Sequence, residues 1–241
     1  MDFGVYPTMF DYCLAMALLY FKEQKCDVVI LETGLGGTYD STNACGVPDV
    51  TVIAKIGFDH MAILGDTLAK IAAEKAGIIK HGTALVLESQ EKEAMDVLNK
   101  AAERADIKTT KVVNLNEIRI LPQKDGKQCF SYAGHDAVTM KMLGVHQYEN
   151  AVAAMLAAEL FFEKYFAGKK NVPERKALQH AIREGIDRTQ WMGRMELVSN
   201  DPFFLMDGAH NSNGVEALKK SLETMYPVSY THLTLPTILL V

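Results

Sequence analysis

A carboxylate and a glycine-rich turn follow the first apolar run of the sequence, and together they could hold a metal ion beside a ligand. Glu32 comes directly after the run 27–31, and Thr33-Gly-Leu-Gly-Gly37 follows it. In an open α/β sheet, ligands bind beyond the carboxyl ends of the strands, where Glu32 would project. A carboxylate there can coordinate Mg²⁺, and glycines let the backbone approach a ligand closely. The alternative is a turn whose glutamate is merely solvated.

A histidine follows the second apolar run at what we expect to be the same edge of the sheet. His60 ends the segment Ile56-Gly-Phe-Asp-His60. A single histidine is more often a partly buried polar group, but two strand-end groups of ligand type indicate a metal site. No GxxxxGK[ST] loop occurs in the chain, and Tyr39 stands where a GxGxxG fingerprint needs its third glycine.

Lys75 stands on the wrong face of its helix for a solvated lysine. It follows Leu68 by seven residues, so at about 100° per residue it falls on the apolar face with Leu68 and Ile71. Lys70 lies on the opposite side. A lysine on an apolar face must be paired, reach the surface or be chemically altered, because burying a bare ammonium is costly. Reaching the surface is the commoner outcome, and a functional role is the sharper hypothesis.

Three later segments carry polar groups at positions suited to ligand binding. His146-Gln-Tyr-Glu-Asn150 opens an alanine-rich helix, although Asn150 can equally be only a cap or first-turn residue. Arg194 follows Trp191-Met-Gly193. Asp207-Gly-Ala-His-Asn211 lies between a strand and a helix, where helix N-terminal amides can bind an anion or a nucleotide.

Alternating strands and helices must position these groups. Apolar runs predict strands at 27–31, 49–54, 84–87 and 111–115, and periodic segments predict helices at 7–24, 66–79 and 91–105. This alternation predicts an α/β fold with a mostly parallel sheet flanked by helices. Residues 118–142 predict a small antiparallel insert with turns at Asp125-Gly126 and Ala133-Gly134.

The rest of the chain predicts the start of a second α/β domain. Helices are expected at 150–165 and up to 184, followed by strands at 195–198 and 203–206 and a helix at 213–225. We therefore divide the chain into a central domain (1–188), the start of a second domain (189–226) and a tail (227–241). The tail contains Pro-Val-Ser-Tyr-Thr-His-Leu, which resembles the translated mosaic end of a sequencing transposase. We expect a non-native tail there, the alternative being a genuine C-terminal strand.

Composition excludes several classes of protein. A net charge of -5 and a pI near 5.8 argue against nucleic acid or an anionic membrane as the main partner. The apolar stretch from Met9 to Phe21 is interrupted by Asp11 and too short to cross a bilayer. Four cysteines without a CxxC pair indicate free thiols in a reducing cytoplasm. We expect a monomeric cytoplasmic protein.

Taken together and in order, the motifs resemble one known family. The matching segments are Leu31–Gly37, Asp40–Asn43, Gly57–His60, Leu64–Thr67, Glu74–Ile79, His146-Gln147, Asn150-Ala151, Gly193-Arg194 and Asp207–Asn211. They are similar to those of folylpolyglutamate synthase and dihydrofolate synthase, within the Mur ligase superfamily. The resemblance covers roughly Thr8 to Met225 and implies a central domain like that of P-loop NTPases.

The resemblance also implies a reaction. ATP would phosphorylate a folate or pteroate carboxylate, and the amine of L-glutamate would attack the acyl phosphate to form an amide. Such chemistry needs Mg²⁺ and cations around the transferring phosphoryl group. By resemblance, Glu32, His60 and a carbamylated Lys75 are the metal ligands and catalytic residues.

Further site residues follow from the same resemblance. Asn150 would contact adenine, Arg194 a phosphate, and Asp207 with His210 the ribose and nucleotide. Asp40 would line the pterin side of the substrate site. The final domain would close over ATP to keep water from the acyl phosphate.

The sequence departs from the family pattern in two ways. Thr38 stands where many relatives have arginine in GGRxD, so the role of that arginine is unfilled. The family's GTxGKGS phosphate loop should precede Met1, and we expect the chain to be an incomplete ligase without it. Two other classes remain open: a ligase of peptidoglycan precursors, with a different motif over 31–43, and a non-catalytic nucleotide-binding module, which has no use for Lys75.

The missing phosphate loop predicts weak nucleotide binding by this polypeptide. Without backbone amides that cradle the phosphates, MgATP should bind more weakly than the micromolar range and the ligase reaction should not occur. Isothermal calorimetry with MgATP measures this directly. Micromolar affinity would contradict the expectation.

Overall fold

The computed structural model describes residues 6–226, which divide into two packing units. The first contains the described residues up to Val113 together with Ala153–Val172. The second contains Asn114–Val152 and the described residues from Pro173 onward. Because these units are defined by packing alone, the expected domain change near residue 189 stays a prediction. The expected tail, 227–241, lies outside the described residues.

A parallel sheet forms the centre of the first unit. Its elements in chain order are α1 (Met9–Glu23), β1 (Val50–Ile53), α2 (Met61–Leu64), α3 (Leu68–Lys75), β2 (Ala84–Leu87), α4 (Lys92–Arg104) and β3 (Thr110–Val112). The three strands pair in parallel in the order β1-β2-β3. The predicted α/β class with a parallel sheet flanked by helices is confirmed.

The core of this unit forms around β2, which is buried along its whole length. Leu85 and Leu87 belong to one buried cluster with Ile71 of α3 and with Ala94 and Leu98 of α4. The strand is apolar at each position because both of its faces are covered, as expected for a central parallel strand. Packing against β2 and α4 thereby fixes α3, and Lys75 is the last residue of that helix.

The predicted strand at 27–31 is wrong. Within the described residues this segment joins no sheet, and Ile30 is 89% exposed. A strand needs a neighbour for its backbone hydrogen bonds. In the described sheet β1 is an edge strand that pairs with β2 alone, and residues 27–31 do not pair with its free edge.

The second unit contains the antiparallel insert. Strands β4 (Arg119–Lys124), β5 (Lys127–Tyr132) and β6 (His135–Met140) form a meander, as predicted. The turns lie at the predicted positions, where Asp125, Gly126, Ala133 and Gly134 all have positive φ. This backbone twist suits two-residue hairpin turns.

Helices and a second hairpin complete the described chain. They are α5 (Gln147–Phe166), α6 (Arg175–Arg188), β7 (Glu196–Asn200), β8 (Phe203–Met206) and α7 (Ser212–Met225). α5 begins three residues before the predicted start, so Asn150 lies inside its first turns. β7 and β8 pair antiparallel, and α6 packs on β6. No helix within residues 6–226 has the length and apolar character that crossing a membrane requires.

Candidate functional site

The glycine loop of the first unit packs directly on the end of α3. The backbone N–H of Thr38 donates to the Glu74 carbonyl at 2.8 Å, and the Thr38 hydroxyl donates to the same oxygen at 3.1 Å. A Cβ on Gly37 would lie 2.5 Å from the Glu74 carbonyl and 2.8 Å from that of Lys75. A Cβ on Gly77 would lie 2.3 Å from the Thr38 Cα. Glycine is therefore required on both sides of this contact.

Asp40 holds the same loop from within. One of its carboxylate oxygens accepts from the N–H groups of Gly34 (2.9 Å) and Leu35 (3.0 Å), and the other accepts from the N–H and hydroxyl of Thr42. Although burial raises the pKa of the Asp40 carboxyl, the hydrogen bonds from Thr42 and the two loop amides lower it below the usual range. The geometry gives Asp40 a loop-forming role, and its contact with a pterin stays a prediction.

His60 lies where the loop after β1 turns into the short helix α2. Its backbone is left-handed, with φ 47° and ψ 37°, and its N–H donates to Asp59 Oδ1 at 2.8 Å. Its carbonyl accepts from the amides of Ile63 and Leu64, the last two residues of α2. A left-handed residue other than glycine carries strain, and such strain is common at functional sites.

One cavity of about 180 Å³ joins the glycine loop, the His60 loop and α3. It is lined by residues 33–36, Gly57, Asp59, His60, Leu64, Ile71 and Lys75. Lys75 is half-buried on the face of α3 that carries the buried Ile71, as its helical position predicts. The structure thus brings His60 and Lys75 to one cavity. Glu32 is exposed and precedes the first lining residue, Thr33.

The ligand roles of Glu32, His60 and Lys75 stay predictions. Within residues 6–226, no three histidine, cysteine, aspartate or glutamate side chains cluster as a metal site. A carbamate on Lys75 would add oxygen donors beside His60 and Asp59. Hard cations such as Mg²⁺ prefer oxygen ligands, so the cavity's donors fit Mg²⁺ only with that modification.

In the second unit, Asp207 joins the chain before β7 to the chain after β8. Its two carboxylate oxygens accept from the N–H groups of Met195 and Ala209, each at 2.8 Å. Between them, the N–H of Gly208 donates to the Gly193 carbonyl at 2.7 Å. Because a carboxylate has about four acceptor positions, Asp207 retains the capacity to accept from a ligand hydroxyl.

Arg194 and His210 lie on either side of the same glycine. A Cβ on Gly208 would lie 3.2 Å from Arg194 Nη1, so the guanidinium rests against this backbone. His210 Nδ1 lies 2.9 Å from the Gly208 carbonyl. The structure therefore brings Arg194, Asp207 and His210 together just before α7.

Asn150 is connected to this group through two residues. Its Nδ2 donates to Gln147 Oε1 at 3.0 Å, and Gln147 Nε2 lies 3.1 Å from His146 Nε2. Burial lowers the pKa of His146, Asp207 opposes this by raising it, and Arg194 lowers it further. The buried Nδ1 of His146 has no hydrogen-bond partner among the described residues. A buried polar atom of this kind suits a site that a ligand completes.

Sequence reasoning gave no role to three residues that the geometry brings to these sites: Asp59, His146 and Gln147. Asp59 lies directly beside His60, and all three residues lie within motifs quoted for the resemblance. Their polar type and position at a strand end or helix start could have identified them.

Comparison with known proteins gives a family match. The model of the Mur ligase middle domain matches residues 8–158. The dihydrofolate synthase/folylpolyglutamate synthase of Bacillus subtilis is 38% identical, over 91% of this chain and 50% of that protein. The folylpolyglutamate synthase of Lacticaseibacillus casei is 30% identical, over 93% of this chain and 51% of that protein. The chain spans about half the length of these relatives.

Solved structures agree with this match. A complex described as FPGS-AMPPCP-folate superposes with a TM-score of 0.82 at 26% identity, over 92% of this chain and 53% of that one. The Mycobacterium tuberculosis folylpolyglutamate synthase complexed with ADP superposes with a TM-score of 0.72 at 31% identity, over 86% of this chain and 46% of that one.

The contact between Gly37 and α3 predicts a large cost for adding one methyl group. Gly37→Ala forces its Cβ against backbone carbonyls that cannot move independently, so the free energy of unfolding should fall by about 1–3 kcal/mol. Gly185→Ala is the matched control, because nothing lies within 4 Å of the added Cβ in α6. Urea unfolding measures both variants, and equal free energies would contradict the proposed contact.

The lowered pKa of Asp40 predicts a pH-dependent contribution to stability. A carboxyl whose pKa is depressed by folding stabilises the protein above its unfolded pKa and loses that contribution as pH falls through its folded pKa. The difference in unfolding free energy between wild type and Asp40→Asn should therefore shrink from about pH 6 to about pH 3. A difference that does not change with pH would show that the Asp40 charge is not what holds the loop.

Proposed function

We propose, from the premise that this chain belongs to the Mur ligase middle-domain family, that the whole protein is an ATP-dependent ligase. It joins L-glutamate to the carboxylate of a folate or pteroate. The observation that carries this proposal is the cavity shared by His60 and Lys75 beside the glycine loop. The names of the two relatives described above, a dihydrofolate synthase/folylpolyglutamate synthase and a folylpolyglutamate synthase, indicate the substrate class.

The reaction has two steps. A carboxylate oxygen of the folate attacks the γ-phosphorus of ATP, the bond to the β–γ bridging oxygen breaks, and ADP leaves. The glutamate amine then attacks the carbonyl carbon of the acyl phosphate, and phosphate leaves as the amine loses a proton. Both steps develop negative charge on phosphate oxygens, so the site must supply positive charge at fixed positions.

The proposed metal ligands all belong to the first unit. We assign Glu32, His60 and carbamylated Lys75 as ligands of Mg²⁺, which would neutralise the triphosphate when bound. A carbamate forms when the neutral lysine amine attacks CO₂ and loses a proton, which exchanges an ammonium for two acceptor oxygens. The half-buried place of Lys75 on an apolar helix face supports this assignment, since an ammonium there carries a desolvation cost that a function must offset.

The proposed nucleotide contacts all belong to the second unit. We assign Asn150 to adenine, Arg194 to a phosphate, and Asp207 with His210 to the ribose and nucleotide. Arg194 is suited to phosphate because its guanidinium presents several N–H donors in one plane. His146 supports the assignment, because burial lowers its pKa and its buried Nδ1 has no hydrogen-bond partner among the described residues.

Substitution of Lys75 tests the proposed carbamate. In the intact protein, Lys75→Ala should lower the ligase rate at least about 100-fold, because the metal loses a charged ligand. Short carboxylic acids should restore part of the rate by supplying the missing oxygens. Lys70→Ala is the control, since Lys70 is exposed and pairs with Asp66 at 2.8 Å on the other side of α3.

A spectroscopic measurement separates the modification from the activity. Wild-type protein in ¹³C-bicarbonate should give a carbamate resonance that Lys75→Ala lacks and Lys70→Ala retains. Full activity of Lys75→Ala, or the same resonance in that variant, would remove the carbamate from the proposal.

A further inference from the structure

After the last residue of β2, the chain stays hydrogen-bonded to the segment that follows β1, and these bonds come from side chains. The β1–β2 ladder ends at the pair Ile53 and Leu87, followed by a bond from the Glu88 N–H to the Ile53 carbonyl at 3.0 Å. Two residues after Ile53, the N–H of Lys55 donates to the carboxylate oxygen Oε2 of Glu88 at 2.6 Å. A side-chain oxygen here takes the place of a strand carbonyl.

Gln90 makes a two-point contact with the same segment. Its Oε1 accepts from the N–H of Ile56 at 2.8 Å, and its Nε2 donates to the Ala54 carbonyl at 3.0 Å. One side-chain amide thus supplies both the donor and the acceptor that a neighbouring strand would offer. Together with Glu88, it extends the pairing of β1 by three residues without a strand.

The segment held in this way leads directly into the cavity. Residues 54–56 are followed by Gly57, Asp59 and His60, all of which line it. Ile56 packs in the core, whereas the side chains of Ala54 and Lys55 are exposed and contribute no apolar packing of their own. His60 also needs its left-handed backbone supported by its surroundings, because that conformation is unfavourable for a residue with a side chain.

Burial of Glu88 argues that this contact serves more than stability. Glu88 is 2% exposed and directly follows a strand that is apolar and buried throughout. Burying a carboxylate is costly unless hydrogen bonds offset the cost, and an apolar residue of similar volume is often at least as stabilising. A polar residue at this position instead orients the neighbouring loop through its hydrogen bond to Lys55.

We propose that Glu88 and Gln90 are positioning residues that hold the strand-end loop and thereby set Asp59 and His60 at the cavity. The importance of that cavity rests on the proposed function, whereas the holding of the loop does not. Neither residue lines the cavity, so both act on it through residues 54–56.

Hydrogen exchange on this chain tests the holding of the loop. In Gln90→Ala, amide exchange over 54–60 should rise about tenfold or more, while residues 85–87 stay protected because the ladder is intact. Gln123→Ala, on an exposed position of β4, is the matched control. Exchange over 54–60 equal to wild type would overturn the proposal.

Gln90→Glu provides a readout that a general loss of packing would not move. Its ionised carboxylate cannot donate to the Ala54 carbonyl, whereas its protonated form can. Protection over 54–60 should therefore be lost at neutral pH and recover on acidification in this variant. Protection that does not recover would overturn the proposal, and this variant also serves if Gln90→Ala does not fold.

Nuclear magnetic resonance of the His60 ring tests whether Gln90 positions His60 at the cavity. The ring resonance should shift in Gln90→Ala, and the Mn²⁺ concentration that broadens it should rise about fivefold or more. Faster exchange with an unmoved His60 resonance would overturn the positioning role. If Mn²⁺ broadens His60 in neither protein, the metal assignment fails, while exchange and the ring resonance still decide this proposal.

Discussion

The approach of the glycine loop to the end of α3 is the contact on which the rest of the site depends. Gly37 and Gly77 allow two backbone segments to meet at a distance that no side chain would permit. Thr38 then closes the contact by donating twice to the Glu74 carbonyl, and Asn43 secures it by donating to the Gly37 carbonyl at 2.6 Å. Lys75 follows Glu74 directly, so this contact determines where its side chain begins.

Around the cavity, polar side chains make hydrogen bonds that the backbone of a neighbouring strand would otherwise make. Asp40 shapes the glycine loop by accepting from three amides, and Gln90 continues the pairing of β1. In the second unit, Asp207 joins two chain segments in the same way. Loops that carry functional groups have little apolar packing, so hydrogen bonds with side-chain carboxylates and amides must fix them instead. This explains why several polar residues of the motifs hold a loop.

The sequence predicted what depends on local periodicity. Lys75 was placed correctly because helical spacing alone determines the face of α3 on which it lies. The turns of the insert followed from Asp-Gly and Ala-Gly pairs, which favour positive φ. The strand at 27–31 failed because pairing requires a neighbour that local pattern does not reveal. The bond from Gln90 to Ala54 spans 36 positions and leaves no local signal, so only the folded chain reveals it.

In the proposed function, a metal ion binds beside His60 and Lys75 and neutralises the phosphates of a nucleotide. Anomalous X-ray scattering from a crystal of the intact protein with Mn²⁺ and a non-hydrolysable ATP analogue tests it most directly. We expect a manganese peak in the cavity, with a carbamate oxygen of Lys75 and a His60 nitrogen each at about 2.1 Å from the ion. A fully occupied manganese site elsewhere, with an unmodified Lys75, would contradict it.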